Sequence, residues 1–142
     1  MSAVSSPRTF FDTNILAYAD DGAEPVKQRK ALDLIKDQRR RRTGVVSIQV
    51  LQEYFNAAIR KLGMDAAIVR RKIEFLARFD VVETNVSDVL AAIDLHRLHQ
   101  LSFWDALVIQ SARKAGCRVL LSEDLQHGQT IDGVRIVNPF LS

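Results

Sequence analysis

Short apolar runs alternate along this sequence with longer segments whose apolar residues recur at helical spacing, and this alternation restricts the chain to few folds. The pattern predicts strands at residues 9–11, 44–46, 81–82, 118–121 and 134–137, and helices at residues 14–20, 25–36, 48–62, 65–79, 87–100 and 103–115. Strands that alternate with helices favour a parallel sheet covered by helices on both faces. We therefore expect an α/β fold, a three-layer α/β/α sandwich around a central, mostly parallel sheet.

Length and composition fit one such domain and exclude several other classes of protein. A chain of 142 residues suits a single domain spanning residues 1–142. With 47% hydrophobic and 26% charged residues, the composition is that of a globular protein and excludes disordered and collagen-like chains.

The same sequence offers no signal for a membrane or for export. No segment approaches the roughly 18 apolar residues that span a bilayer, so we expect no membrane partner. Residues 1–8 lack the apolar core of a signal peptide, and a single cysteine, Cys117, cannot form an internal disulfide. We expect a cytoplasmic location.

Two predicted strands end at an aspartate. Asp12 follows the strand at residues 9–11, and Asp124 follows the strand at residues 118–121. Ligand sites of open α/β sheets lie beyond the carboxyl ends of the strands, which favours both residues as site residues. The structural alternatives are that Asp12 caps the next helix and that Asp124 belongs to a turn.

Asp105 is the only charged residue in the otherwise mostly apolar segment at residues 102–112, which predicts that it is buried. A buried carboxylate is costly unless it is paired, hydrogen-bonded or bound to a metal. Ser102 precedes Asp105 at capping-box spacing, so a purely structural role is the alternative. Trp104 is expected to pack in the core.

Glu53 lies on the helix that Ser47 caps, opposite the apolar stripe of that helix and beside Gln49 and Arg60. Periodicity by itself predicts a solvated surface glutamate. A polar helix face that lines a cleft would show the same pattern, so both interpretations stay open.

Four acids at one place would repel one another and could not all ionise without a cation. Carboxylate oxygens without a nearby set of His and Cys ligands suit Mg²⁺, with Mn²⁺ as the alternative, better than zinc. Such an ion would hold a phosphodiester and help to deprotonate a water molecule.

Four segments of the sequence together resemble the acidic motifs of the PIN domain, in their usual order. They are Asp-Thr-Asn at residues 12–14, Gln-Val-Leu-Gln-Glu at 49–53, Phe-Trp-Asp-Ala at 103–106 and Leu-Ser-Glu-Asp at 121–124. The resemblance implies a PIN-like fold with Asp12, Glu53, Asp105 and Asp124 as the catalytic and metal-binding quartet. It also implies supporting roles for Thr13 and Asn14, which would orient Asp12, and for Ser122, which would support Asp124; Glu123 is left outside the core site.

As to function, the resemblance implies a Mg²⁺-dependent endoribonuclease that hydrolyses RNA by metal-activated water, in the manner of the VapC-type toxins of toxin–antitoxin pairs. The implied partners are RNA, a cognate VapB-type antitoxin and a second copy of the chain in a homodimer. Alternatives within the family are an RNA-processing nuclease outside a toxin–antitoxin system and a catalytically inactive binding module. Phosphatase-like or receiver-like domains that use an aspartyl phosphate are disfavoured, since Asn14 stands where the phosphatase needs a second aspartate.

Basic residues are concentrated in the first half of the chain, with 14 of the 20 Lys and Arg residues in residues 1–72. An acidic centre repels RNA, so capture of RNA would need basic residues around the rim. The candidates are Lys36, the arginine run at residues 39–42 and Arg60. The alternative for the run is a charged, solvated loop after the helix that ends at residue 36.

Overall fold

The structure, a computed structural model, describes residues 7–141. Residues 1–6, most of the N-terminal stretch considered above, and residue 142 lie outside the described residues. The strands are β1 (Thr9–Phe11), β2 (Gly44–Ser47), β3 (Asp80–Val82), β4 (Val119–Leu121), β5 (Thr130–Ile131) and β6 (Val134–Val137). The helices are α1 (Thr13–Tyr18), α2 (Pro25–Arg41), α3 (Ile48–Arg60), α4 (Ala66–Leu76), α5 (Val86–His99) and α6 (Phe103–Lys114).

The six strands form one sheet in the order β3-β2-β1-β4-β6-β5. Every pair is parallel except β5 with β6, which is antiparallel. The expectation of a mostly parallel α/β sheet is therefore confirmed.

The order of the strands reverses direction beside β1. From β1 the chain moves outward through β2 to β3, and it then crosses back to place β4 on the other side of β1. Parallel crossovers are right-handed, so connections that run in opposite directions put their helices on opposite faces of the sheet. The contacts agree: α1 packs on α2 and α3, and α3 packs on α4, whereas α5 packs on α6.

The middle strands are buried on both faces, as this layering requires. All residues of β1 and β2 are buried, and Phe10, Val45 and Val46 are completely inaccessible. Apolar burial of this kind is the main stabilising contribution to the fold. Among the helices of residues 7–141, none combines the length and the apolar character needed to cross a bilayer.

The arginine run does not form the loop considered above. Helix α2 begins at Pro25 and continues through Arg41, and Arg42 then ends it in the left-handed region at φ 59°. Arginine is a good helix former, and no helix breaker intervenes before Gly44. Helix α2 leads into the amino end of β2, so the run lies at the amino-end edge of the sheet, away from the carboxyl ends of the strands.

The strand predicted at residues 134–137 is confirmed as β6, but β5, its short antiparallel partner, is absent from the pattern-based prediction. The turn between the two strands contains Asp132 and Gly133, with φ values of 47° and 83°. An Asp-Gly pair between apolar segments is a strong signal for a two-residue hairpin. The signal was therefore present, but a two-residue strand is too short to show alternation.

Candidate active site

Asp12 lies at the carboxyl end of β1, next to β4, where the strand order reverses direction and where open α/β sheets place their ligands. Its backbone N–H donates to the carbonyl of Leu121 at 3.0 Å, which joins the ends of the two strands. Its carboxylate Oδ1 accepts from the backbone N–H of Thr13 at 2.8 Å, so Asp12 caps α1. Asp12 therefore serves as a helix cap and also lies where a site is expected; the two roles are compatible.

Ser122 connects β4 to Asp12 and to the turn that contains Asp124. The Ser122 hydroxyl is completely buried and donates to Asp12 Oδ2 at 2.8 Å. Ser122 Oγ also accepts from the backbone N–H groups of Asp124 at 3.2 Å and Leu125 at 3.4 Å. One side chain thus fixes a carboxylate on β1 and the course of the backbone after β4.

Asn14 bridges the two strand-end acids from α1. Its amide Nδ2 donates to Asp124 Oδ2 at 3.1 Å and to Asp12 Oδ2 at 3.5 Å. Its Oδ1 accepts from the backbone N–H of Glu123 at 3.0 Å. Asn14 contacts Asp12 as expected, and it contacts the segment around Asp124 more closely.

Thr13 contacts Glu53 through its side chain. The Thr13 hydroxyl donates to Glu53 Oε1 at 3.3 Å, whereas only its backbone N–H reaches Asp12. Glu53 is exposed, as periodicity predicts, yet its carboxylate faces the cavity described below. The polar face of α3 covers a cleft and not open solvent.

Gln49 is a site residue that the sequence analysis did not single out. Its Nε2 donates to Glu53 Oε1 at 3.3 Å from one helical turn earlier on α3. Its Oε1 is buried and has no hydrogen-bond partner among residues 7–141. The position four residues before Glu53 on the same face was the available signal.

Asp105 lies in the first turn of α6, where its backbone N–H donates to Ser102 Oγ at 3.1 Å. The sequence predicts a buried residue, but Asp105 is only half-buried. Its carboxylate accepts no hydrogen bond from residues 7–141. Trp104 is 60% exposed and so does not pack in the core. The reason is the same for both: the first turn of α6 lies at the wall of an open cavity.

All four predicted acids line a single cavity of about 820 Å³. Other residues that line the cavity are Thr13, Asn14, Tyr18, Gln49, Arg60, Lys61, Trp104 and Glu123. The structure therefore brings together residues that are separated by up to 112 positions in the sequence, from Asp12 to Asp124.

Burial and mutual repulsion make this set of acids unfavourable when all are ionised. Burial raises the pKa of Asp12 to about 6, against the hydrogen bonds from Ser122 and Thr13, and the negative charges of Asp124 and Asp105 add to the rise. Burial also raises the pKa of Glu53, with Asp105 contributing. A bound cation would favour the ionised forms and reverse these shifts.

Glu123 lines the same cavity but has a cation of its own. Lys27 Nζ lies 2.6 Å from Glu123 Oε2, and the Tyr18 hydroxyl donates to Glu123 Oε1 at 2.6 Å. Although burial alone would raise the pKa of Glu123, these two contacts lower it. Glu123 is thereby neutralised locally, unlike the four predicted acids.

The donor set suits a hard divalent cation. It consists of carboxylate oxygens, without cysteine or histidine on the cavity wall. Within residues 7–141, no group of three or more His, Cys, Asp or Glu side chains is arranged as a cluster able to hold a metal ion. Mg²⁺ is commonly bound through one or two carboxylates with waters completing its shell, so the absence of a three-ligand cluster is compatible with this ion.

A comparison with models of protein families found a match over most of the chain. The family model described as the PIN domain matches residues 9–130. A search of curated proteins found no match.

Solved structures with the same fold include several toxin–antitoxin proteins. The chain is similar to the sarcin-ricin loop cleaving toxin VapC20 of Mycobacterium tuberculosis, with 22% identity and a TM-score of 0.67 over 82% of this chain and 91% of that one. It is similar to a toxin–antitoxin complex from Klebsiella pneumoniae, with 18% identity and a TM-score of 0.66 over 93% and 98%. It is also similar to VapBC2 of Rickettsia felis bound to a promoter DNA fragment, with 16% identity and a TM-score of 0.65 over 90% and 96%.

The raised pKa of Asp12 predicts that this residue destabilises the metal-free protein at neutral pH. Its folded pKa of about 6 exceeds the ordinary 3.8, so the free energy of unfolding falls as pH rises from about 4 to 6 and stays lowered above. The shift corresponds to at most about 3 kcal/mol. Because asparagine caps helices as well as aspartate, Asp12→Asn should be more stable than the parent by about 1–3 kcal/mol at pH 7.5 in EDTA.

Urea unfolding of both proteins at pH 7.5 and near pH 4 measures this difference. The gap should narrow to less than about 1 kcal/mol near pH 4, where Asp12 is protonated in the folded parent and about half protonated in the unfolded chain. Asp94→Asn, which changes an exposed acid on α5, is the control and should show no gap at either pH. Equal stability of Asp12→Asn and the parent at pH 7.5 would contradict the electrostatic account.

Proposed function

The chain belongs to the PIN domain family, and from this premise we propose that it is a Mg²⁺-dependent endoribonuclease that acts as the toxin of a type II toxin–antitoxin pair in the cytoplasm. The observation that supports the proposal is the convergence of Asp12, Glu53, Asp105 and Asp124 on one cavity beside the reversal point of the sheet. The toxins among the structures of similar fold support the narrower assignment.

Asp12 and Asp105 are the principal ligands that we propose for Mg²⁺ or Mn²⁺, with Glu53 and Asp124 acting directly or through waters. When bound, such an ion supplies Lewis-acid polarisation of a phosphoryl oxygen and lowers the pKa of a bound water. No residue of the site is needed as a covalent nucleophile, so the reaction is direct hydrolysis of an RNA phosphodiester.

The neighbouring polar side chains hold the acids in place for this reaction. Ser122 and the Thr13 N–H occupy the two oxygens of Asp12 with hydrogen bonds, Asn14 restrains Asp124, and Gln49 with the Thr13 hydroxyl restrains Glu53. Carboxylates that are fixed before the ion or the substrate arrives need less reorganisation during the reaction. Thr13, Asn14, Ser122 and Gln49 are therefore positioning residues.

The proposed partners follow from the same site. An acidic cavity has the charge that an arginine of an antitoxin would complement through charge-assisted hydrogen bonds. The similar structures from Klebsiella pneumoniae and Rickettsia felis are toxin–antitoxin complexes. We propose a VapB-type antitoxin as the inhibitor and a homodimer as the free form.

Removal of Asp105 should abolish metal-dependent cleavage without unfolding the protein. Asp105→Asn keeps the size of the side chain and the backbone bond to Ser102, so the fold should be retained. Cleavage of total RNA with Mg²⁺ should fall by at least about 100-fold, since loss of a group that merely supports a metal ligand already costs 10- to 100-fold.

Asp94→Asn is the matched control, with the same chemical change outside the cavity, and should retain the parent rate. EDTA should stop cleavage by the parent, and added Mg²⁺ should restore it. Undiminished cleavage by Asp105→Asn, or cleavage by the parent in EDTA, would contradict a metal-dependent mechanism at these acids.

The toxin assignment predicts a specific assembly with an encoded partner. Light scattering should give a mass twice the 16.0 kDa of one chain for the protein alone, and a larger complex after co-expression with the product of the adjacent reading frame. That complex should lack nuclease activity. A monomer that does not bind this product but still cleaves RNA would favour an RNA-processing nuclease, whereas a dimer without any nuclease activity would favour a binding module.

A further inference from the structure

The polar face of α3 extends beyond the acids to two basic residues on the same cavity. Arg60 follows Glu53 by seven residues, which is close to two full helical turns, so both side chains lie on one face about 10 Å apart along the axis. Lys61 is the C-cap residue of α3. Arg60 and Lys61 both line the cavity that holds the four acids.

Both residues are exposed, and neither side chain forms a hydrogen bond or an ion pair with the other described residues, 7–141. The other cation close to the cavity, Lys27, is paired with Glu123. The wall of the cavity therefore carries two unpaired positive charges some 10 Å along α3 from Glu53.

The arginine run considered earlier for RNA capture lacks these properties. Arg40 and Arg41 pair with Asp37, and the Arg39 guanidinium lies over the Phe75 ring at 4.5 Å. The run also lies at the amino-end edge of the sheet, whereas the acids lie at the carboxyl ends of the strands. Only Arg60, of the basic residues considered from sequence, faces the cavity.

A helix end favours cations for a reason unrelated to ligands, because it carries partial negative charge and unpaired carbonyls. That effect explains why basic residues occur in the last turn of α3. It does not account for their position on the cavity wall. Arg97 is the natural comparison, since it occupies the last turn of α5, is exposed and does not line the cavity.

We propose that Arg60 and Lys61 form a phosphate subsite that holds the RNA backbone beside the phosphodiester bound at the acids. The proposal rests on the proposed ribonuclease function. It places a backbone phosphate at the C-terminal end of α3 and the reacting phosphate near Glu53. Since the two cations contact a flanking phosphate, their contribution is to substrate binding and not to the chemical step.

The subsite predicts a distinct response to salt. Each phosphate contact releases counterions, and loss of one contact lowers the slope of log K against log salt by about 0.7 for a single strand. The double variant Arg60→Gln/Lys61→Gln should therefore flatten the slope by about 1.4 and weaken binding at low salt by roughly tenfold or more.

Fluorescence anisotropy with a labelled mixed-sequence 12-nucleotide RNA measures both quantities. All proteins carry Asp105→Asn and are kept in EDTA, so that RNA is not cleaved and no metal contributes to binding. Arg97→Gln in the same background is the control for loss of a helix-end cation and should leave the affinity and the slope near the parent values. Thermal melts of each variant separate an effect on stability from an effect on RNA binding.

A kinetic comparison of proteins that retain Asp105, and can therefore cleave RNA, completes the test. With Mg²⁺, Arg60→Gln/Lys61→Gln should raise KM for a 12-nucleotide substrate and leave kcat within about twofold, as expected when only uniform binding is lost. If the double variant has the same salt slope and RNA affinity as the parent, the phosphate subsite is overturned. It is also overturned if the double variant still binds RNA and loses only its binding to the antitoxin. If the parent cleaves no RNA, the proposed function fails, and the anisotropy result still decides whether these two residues contact RNA.

Discussion

The site depends on one buried hydrogen bond, from the Ser122 hydroxyl to the Asp12 carboxylate. It joins the ends of β1 and β4 at the point where the sheet reverses its strand order, and the Asp12 N–H to Leu121 bond reinforces the junction. A carboxylate that is buried to 7% exposure needs such partners. Because the Ser122 hydroxyl also accepts from the Asp124 N–H, the same side chain sets where the second acid lies.

Helix α3 brings both acidic and basic side chains to the wall of the cavity, at different positions along its axis. Glu53 in the middle of the helix faces the other acids, and the side chain of Arg60, its last residue, faces the same cavity without a partner among the described residues. Acids without nearby cations would repel an RNA backbone, whereas cations directly beside the acids would pair with them and neutralise them. In the proposed ribonuclease, a separation of about 10 Å along the helix would allow both charges to act on different phosphates of one strand.

Much of this arrangement could be predicted from sequence, since strand-end acids and capping residues have local signals. Asp12 and Asp124 follow the rule for parallel sheets, and Ser47 caps α3 as expected. Glu53 could not be placed by periodicity, because a polar helix face looks the same whether it meets water or a cavity. Asp105 and Trp104 were expected to be buried because their helix is apolar, but exposure at its first turn is set by the opening of the cavity.

Two further differences have equally physical causes. The arginine run extends α2, and Arg40 and Arg41 within it pair with Asp37. Helix propensity and ion pairs one turn apart produce this result, and charge counting does not reveal them. The role of Gln49 depends on the side-chain packing around Glu53, which only the folded arrangement defines.

Calorimetric titration of Mn²⁺ tests the central claim most directly, which is that the acids around Asp12 form one divalent-cation site. The parent should bind Mn²⁺ with release of protons at pH 6, since Asp12 is partly protonated there without a cation. Binding should be lost or weakened at least about tenfold in Asp12→Asn and in Asp105→Asn, and unchanged in Asp94→Asn. Unaltered affinity in both site variants would contradict the account.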